Sequence, residues 1–335
     1  MFLKIKKIAF IISLSAFLAG IIPCMASAGN CFSASNPYYT LGSNSIEINR
    51  LTPIEIKELI DEEKNEYINR APDIFEFDNT LMGKVDHKFL LISLIKLNYL
   101  FDKYEDFTTN FINYKRALNT KFRLQFDDHT GNMSSNMFSI NFGTSTTNYC
   151  RYLHTIKYST KIGFHPQVDN GHEVEIPITH EFGHLIERLY IIKTNILLPD
   201  LIPLKKQCND INKLENNIYQ ELRKKPDIKF QIIFMQALEK YSKLQTRITK
   251  LYEQAFTNEN SWSGIQSEIL QGLEGQDRNI SRYGCKDALE FFAEAFAHLE
   301  CTDNPENVNE IGRRIESYIV NKMGYLPKEN SKFNK

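Results

Sequence analysis

Five consecutive residues at 180–184, HEFGH, have the spacing of a metal-binding helix. On an α-helix, His180 and His184 lie four residues apart and project from one face, so both imidazoles can reach one zinc ion. Glu181 follows the first histidine and can reach a water at that ion, where a general base is needed. The motif therefore predicts zinc-dependent hydrolysis.

A catalytic zinc site needs a third protein ligand and keeps one position open for water. The longer pattern H-E-x-x-H-x-x-G-x-x-H is excluded, because Glu187 and Tyr190 stand where its glycine and its last histidine would be. The best remaining donors are Glu290 and Glu294, which lie one turn apart on an apolar predicted helix. The third ligand is therefore sought in this pair.

Three short stretches of the chain resemble one family of peptidases. HEFGH, SRYG at 281–284 and EFFAEAF at 290–296 are similar to the catalytic domain of the anthrax lethal factor family of zinc peptidases. That family includes secreted bacterial Pro-Pro endopeptidases. The resemblance is strong over the first motif and about 281–303, looser to about 322, and absent from the N-terminal region. It implies a glutamate-ligated zincin.

The resemblance implies a role for each site residue. His180, His184 and Glu290 correspond to the ligands of one catalytic zinc ion, and Glu181 corresponds to the catalytic base. Tyr283 stands where the family carries a tyrosine whose hydroxyl supports the transition state. Glu294 corresponds to an acid that hydrogen-bonds a ligating imidazole from behind, which fixes its tautomer.

The chain departs from the family between the two halves of the motif. The extra length is predicted to form a helical hairpin at about 200–257, with apolar residues at three- and four-residue steps on both sides of Pro226. An ordinary pair of packed helices and a partner-binding insertion explain this pattern equally well. The insertion weakens any inference about a proline-containing cleavage site.

Other elements must position these residues. The sequence TPIE at 52–55 predicts a capped helix to about Asn69, and further helices are expected at about 86–104 and 106–118. Residues 120–128 and 135–143 read as two strands. The second strand has its apolar residues on one face and is the expected edge for aligning an extended peptide. Residues at 143–178 have no assigned structure.

The expected fold is α+β: a zincin-like metallopeptidase with a small mixed sheet, an active-site helix and a mainly helical C-terminal half. An N-terminal, mainly helical region at 29–118 either covers the sheet or forms its own lobe. The catalytic domain is predicted at 119–326 and a disordered tail at 327–335.

The first 28 residues read as a secretory signal peptide. A basic start, an apolar run of 15 residues and the cleavage site Ala26-Ser27-Ala28 are typical of one. Without its three lysines, the mature chain has 37 basic and 41 acidic residues, a net charge of −4. This balance favours neither a nucleic-acid partner nor membrane insertion after cleavage.

The mature chain keeps an odd number of cysteines, so at least one is free or paired between chains. They are Cys31, Cys150, Cys208, Cys285 and Cys301. A helix about 20 Å long separates Cys285 from Cys301 and forbids a bond between them. Each is expected to pair elsewhere, with Cys208 and Cys150 available.

Two further histidines are not expected to take part in the metal site. His172 lies in a Gly/Asn-rich stretch and is expected to be exposed, and His298 is expected on the outer part of the Glu290 helix.

The chemistry-bearing residues together predict an exported zinc endopeptidase acting on proteins or peptides. A secreted toxin or effector and a surface housekeeping protease fit equally well. The alternative is a zincin-fold protein that binds a partner through the insertion with little hydrolysis.

Overall fold

The computed structural model of the protein describes residues 39–41, 44–46, 48–195 and 262–328. The predicted signal peptide and the predicted helical hairpin lie outside these residues. Of the predicted disordered tail, Pro327 and Lys328 are described, and the Lys328 N–H donates a hydrogen bond to the Lys103 carbonyl at 2.8 Å. The described chain therefore stays packed up to Lys328.

The described residues form an α+β protein, as predicted. The α-helices are α1 (Pro53–Asn69), α2 (Leu81–Lys84), α3 (His87–Lys103), α4 (Glu105–Ala117), α5 (Tyr149–Lys161), α6 (Ile176–Asn195), α7 (Trp262–Ile269), α8 (Ala288–Glu300) and α9 (Glu310–Asn321). The strands are β1 (Tyr39–Leu41), β2 (Asn44–Ile46), β3 (Phe75–Phe77), β4 (Phe122–Phe126), β5 (Ser134–Asn136) and β6 (Ser139–Phe142). Within these ranges, no helix is both long and apolar enough to cross a bilayer.

Local capping signals explain where the predicted N-terminal helices begin. Thr52 accepts the Glu55 N–H at 3.3 Å, and the Glu55 carboxylate accepts the Thr52 N–H at 2.7 Å, which closes the predicted capping box. At the start of α3, Asp86 accepts the Lys88 N–H at 3.0 Å. The three helix predictions for this region are confirmed by α1, α3 and α4.

The main sheet is small and mixed, as predicted. Its strand order is β3-β4-β6-β5, with β5 antiparallel to β6 and the other neighbours parallel. β3 lies inside the N-terminal region that was expected to be mainly helical, so the sheet begins there. Leu124 of β4 pairs with Phe77 on one side and Ile140 on the other.

The prediction of one continuous strand over 135–143 is wrong. The Asn136 side chain accepts the N–H groups of Phe138 at 2.7 Å and Ser139 at 3.0 Å, which turns the chain between β5 and β6. Phe138 is 40% exposed, whereas all four residues of β6 are buried. Because β6 lies between β4 and β5, it is not an edge strand, and β5 takes that place.

The unassigned stretch at 143–178 is largely helical. Asn148 caps α5 by accepting the Arg151 N–H at 3.0 Å, and a short 3-10 turn over Glu173–Glu175 leads into α6. Pro177 is at the second position of α6, where the missing N–H has no helical partner to lose. This segment brings the HEFGH motif to the middle of α6.

The N-terminal helices cover the sheet and the motif helix rather than forming a lobe of their own. α1 packs on α3 and β3, and α3 packs on α6. The Phe101 ring of α3 lies 5.1 Å from both the Phe75 ring of β3 and the Phe182 ring of α6. One apolar core therefore joins sheet and helices.

The cysteine predictions are confirmed only in part. Cys285 and Cys301 are not bonded to each other, as expected, but both are free thiols, so the expectation that each pairs elsewhere is wrong. Cys301 is buried with its Sγ 3.5 Å from Thr179 Oγ1, and Cys285 donates to Asn279 Oδ1 at 3.3 Å. Cys150 is disulfide-bonded.

Helices α6 and α8 pack tightly against each other at a glycine of α6. A Cβ atom on Gly183 would lie 3.1 Å from the Ala293 Cα and 3.2 Å from the Phe296 Cβ. Helix backbones meet this closely only where one partner lacks a side chain. Gly183, the second variable residue of the HEFGH motif, therefore sets the separation of the two helices that carry His180 and Glu290.

Gly183→Val is expected to lower the free energy of unfolding by about 1–3 kcal/mol, because the added methyl groups overpack the α6–α8 crossing. Gly83→Val is the matched control, since a side chain there meets nothing within 4 Å. Urea unfolding followed by circular dichroism measures both. Equal losses in the two variants would contradict close packing at Gly183.

Candidate metal centre

Three side chains predicted to bind metal come together at the α6–α8 crossing. One ligand atom from each of His180, His184 and Glu290 lies within 4.8 Å of the other two, and all three residues are buried. The Glu290 Oε2 is 3.1 Å from the His180 Nε2 and 3.5 Å from the His184 Nε2. This group could hold a metal ion.

The spacing of these atoms fits a small tetrahedral ion. Ligands about 2.0–2.1 Å from such an ion lie about 3.3 Å from one another, which matches the two measured separations. Within the described chain, the buried Glu290 Oε2 has no hydrogen-bond partner. A buried carboxylate oxygen without a partner is costly unless a cation satisfies it. The donor set therefore fits a metal.

Two helices bring the ligands to this point. His180 and His184 are one turn apart on α6, and their rings meet at 4.6 Å between centroids. Asp287 caps α8 by accepting the Glu290 N–H at 3.0 Å, which places Glu290 in the first helical turn. The start of α8 thus faces the middle of α6.

Glu294 lies one turn further along α8, behind His180, as predicted from the resemblance. Its Oε1 is 2.9 Å from the His180 Nδ1, and its Oε2 accepts the Ser281 hydroxyl at 2.7 Å. The His165 Nδ1 lies 3.2 Å from Oε1. Because Glu294 occupies the Nδ1 side of the ring, the Nε2 side is left to face His184 and Glu290.

The carboxylates of Glu290 and Glu294 place negative charge beside the imidazoles. Burial opposes ionisation of Glu290, but the adjacent imidazoles of His180 and His184 outweigh it and hold the pKa of Glu290 below its usual value. Burial is likewise outweighed at Glu294, whose pKa is lowered to about 2 by His165 and His180. The two carboxylates raise the pKa of His180 well above its ordinary value, against its burial. Carboxylates that stabilise a positive charge on His180 also attract a metal cation.

The predicted catalytic residues border the three ligands. Glu181 is buried on α6, and its charge contributes to the pKa shifts of His180, His184 and Tyr283. The Tyr283 ring lies 5.8 Å from the His180 ring. Burial, and then Glu290 and Glu181, raise the pKa of the Tyr283 phenol. The hydroxyl therefore stays protonated and can donate a hydrogen bond.

The edge strand β5 is tied to α6. The Ser135 hydroxyl donates to the Glu181 carbonyl at 3.2 Å, and Arg188 Nη1 donates to the Ser135 carbonyl at 2.7 Å. An extended peptide cannot add to β6, since β5 and β4 flank it, so the expected role of that strand is wrong. On β5, the Ser135 carbonyl already has a partner within the chain.

Sequence reasoning missed His165 and Ser281 as contacts of Glu294. His165 lies in the stretch without assigned structure, 129 residues before Glu294, and no local spacing connects the two. Ser281 is part of the SRYG motif, but only Tyr283 was assigned a role there. The Gly284 N–H donates to the Ser281 Oγ at 2.8 Å, and a Cβ on Gly284 would lie 3.1 Å from the Glu294 Cβ. The first and last residues of the motif therefore lie against Glu294.

A buried polar network ties both metal-bearing helices to α3. The Lys96 Nζ lies 2.7 Å from Glu175, before α6, and donates to the Glu300 carbonyl at the end of α8 at 2.5 Å. His172, expected to be exposed, is buried: its Nδ1 lies 2.6 Å from Glu175 and its Nε2 3.0 Å from Asp303. The prediction failed because Asp303 is distant in the sequence and the Gly/Asn-rich composition around His172 does not indicate that Glu175, three residues on, is buried beside it.

His298 was expected on the outer part of the Glu290 helix and is buried instead. Its Nδ1 lies 2.5 Å from the Gln167 carbonyl, and its Nε2 accepts the Asn309 N–H at 3.0 Å. The prediction was wrong because α6, α7 and α9 all pack on α8, which leaves that helix no outer face at this position. His298 therefore joins α8 to the segment before α9.

Substitution of the two acids on α8 should have different effects on metal binding. Glu290→Gln is expected to abolish tight binding of Zn²⁺, because a charged ligand is lost. Glu294→Gln retains the ligands and is expected to weaken binding by about 10–100-fold, the usual effect of an outer partner of a ligating histidine. Competition with a chromogenic chelator measures both affinities. Equal losses would contradict the separate positions of Glu290 and Glu294.

His172 should make the stability of the protein depend on pH. Burial disfavours its charge, but hydrogen bonds to Asp303 and Glu175 outweigh burial and raise the pKa of His172 to about 10. Because this value exceeds that of an unfolded histidine, about 6.5, the stabilisation is complete below that pH and is lost as pH rises toward 10.

We expect wild type to exceed His172→Asn in free energy of unfolding by about 2–4 kcal/mol at pH 7, and the difference to shrink as pH rises from 7 to about 10. His154→Asn, at an exposed position on α5, controls for the substitution itself. Urea unfolding across this pH range gives the differences. A constant difference would show that His172 does not carry the charge.

Known proteins offer no further identification. No protein-family model, curated protein or solved structure matches the chain. The resemblance to the anthrax lethal factor family therefore remains a prediction made from the motifs at 180–184 and 281–303. The structure itself shows an α+β fold in which His180, His184 and Glu290 lie where they could hold a metal ion.

Proposed function

We propose that the bound metal is one zinc ion. Two imidazoles and one carboxylate are typical ligands of zinc, whereas calcium and magnesium prefer sites made of oxygen atoms alone. The three donors His180, His184 and Glu290 leave one position of a tetrahedron without a protein ligand, which is the usual composition of a catalytic zinc site. A structural zinc site would have four protein ligands.

We further propose that the protein is an exported, zincin-like zinc endopeptidase that hydrolyses peptide bonds of proteins or peptides. The observation that carries this proposal is the position of Glu290 Oε2 between the two histidine Nε2 atoms, with Glu181 beside the first histidine and Tyr283 across from it. These residues would supply a ligand set, a base and a hydrogen-bond donor to one site.

When bound, zinc supplies Lewis acidity, which lowers the pKa of water and polarises the carbonyl of the scissile bond. Glu181 then accepts the proton of the attacking water as the carbon–oxygen bond forms. The same carboxyl group returns that proton to the departing amine nitrogen as the carbon–nitrogen bond breaks. Glu181 ends the cycle ionised, as it began.

Tyr283 has a proton to offer as the carbonyl oxygen becomes negative. Its phenol stays neutral, since burial and the nearby carboxylates raise its pKa. A hydrogen bond that strengthens with developing charge favours the transition state over the substrate. Glu294 contributes indirectly: by holding the Nδ1 side of His180, it leaves the Nε2 side as the ligand.

The proposal of export is supported by the predicted signal peptide. The ligand set does not determine which substrate is cut. A toxin or effector acting on a host protein and a protease acting on the producer's own envelope share this chemistry. The partner-binding alternative predicts that the protein acts without using Glu181. Substitution of that residue therefore separates catalysis from binding.

Glu181→Ala is expected to retain Zn²⁺ and to lose cleavage by about 10²–10⁴-fold, because only the proton transfer is removed. Profiling a peptide library with wild type, Glu181→Ala and the exposed control Glu58→Ala measures the effect and identifies the bond cut. Cleavage by Glu181→Ala at the wild-type rate would contradict the mechanism. Full biological activity of that variant would favour the partner-binding alternative.

A further inference from the structure

His165 is a second histidine against the carboxylate of Glu294. Its Nδ1 lies 3.2 Å from the Glu294 Oε1 and 3.4 Å from the Oε2. His180 approaches the same carboxylate at 2.9 Å, and Ser281 donates to it at 2.7 Å. Glu294 is therefore held from three directions, only one of which is a predicted metal ligand.

This carboxylate needs such partners because it is fully buried. A buried carboxylate is costly unless it is paired and hydrogen-bonded. With His165 removed, Glu294 would retain Ser281 and His180 but would be free to rotate toward the space left by the imidazole. Its distance to the His180 Nδ1 would then no longer be constrained from both sides.

His165 also contacts the residue predicted to donate to the substrate. Its ring meets the Tyr283 ring at 5.7 Å between centroids with an interplanar angle of 65°, an edge-to-face arrangement. The backbone of the same segment supports this contact, because the Tyr283 N–H donates to the Phe164 carbonyl at 3.0 Å and the Arg282 N–H to the Gly163 carbonyl at 2.9 Å. Segment 163–165 thus holds Tyr283 by backbone and by ring.

We propose that His165 is a positioning residue that fixes Glu294 against His180 with its Nδ1 and fixes Tyr283 with its ring. The affinity for metal and the placement of the tyrosine hydroxyl then depend on one side chain that touches neither metal nor substrate. The part concerning Tyr283 rests on the proposed peptidase function, whereas the part concerning Glu294 rests only on metal binding.

Two substitutions separate the two contacts. His165→Phe retains an aromatic ring against Tyr283 and loses the nitrogen that faces Glu294. His165→Asn retains a side-chain nitrogen near the position of Nδ1 and loses the ring. His154→Ala removes an exposed histidine of the neighbouring helix α5 and is the control. Thermal unfolding of each variant establishes that it is folded before its affinity is compared.

The first measurement needs no substrate: the affinity of the metal-free protein for Zn²⁺, by competition with a chelator. His165→Phe is expected to weaken binding about 10-fold, while His165→Asn and the control stay within about twofold of wild type. In a Glu294→Gln background, His165→Phe should cause no further loss, because its effect passes through Glu294. Wild-type affinity of His165→Phe, or full additivity with Glu294→Gln, would overturn this part.

The second measurement uses a peptide identified by library profiling. His165→Asn is expected to lower kcat about 10-fold with KM unchanged, because ground-state binding does not involve Tyr283, and to have no effect in a Tyr283→Phe background. Equal losses in both backgrounds would overturn the contact with Tyr283. If wild type cleaves no peptide, the peptidase proposal fails while the zinc affinities still decide the role of His165 toward Glu294.

Discussion

The structure depends on keeping negative charge buried at the crossing of two apolar helices. Glu290 and Glu294 are both buried on α8, whose other residues are apolar except for His298 and Glu300. Such charges are tolerated only beside groups of opposite charge or hydrogen-bond donors in good geometry. The histidines of α6 are those groups, so α6 and α8 must approach each other at one rotation and one separation.

Several features of the chain enforce that approach. Gly183 lets the helix backbones come close, and the Lys96 network holds the beginning of α6 and the end of α8 to the same central helix. Lys96 is itself buried and paired with Glu175, so here too a buried charge lies beside one of opposite sign. The metal centre is therefore supported from both ends of the crossing, and not only by its ligands.

Local signals in the sequence were sufficient to predict the paired histidines of α6 and much of the fold, whereas the choice of Glu290 over Glu294 came from the family resemblance. The spacing of His180 and His184, the capping box at Thr52 and the periodicity of the first helices each depend on neighbours within one or two turns. The signals failed where contacts are distant in sequence. His165 and His298 find their partners 129 and 131 residues away. The β5–β6 turn is a different kind of failure, because it depends on one local side chain, Asn136, in a segment whose alternating apolar residues are typical of a continuous strand. Buried polar residues are placed by tertiary packing, which no short window contains.

The distances among His180, His184 and Glu290 are set by the packing of α6 against α8 at Gly183 and by the side chains around Glu294. Ser281, His165 and His180 all approach the Glu294 carboxylate, so its position is constrained from several elements at once. A change at any of these contacts is therefore felt at the three candidate ligands, although only His180 is among them.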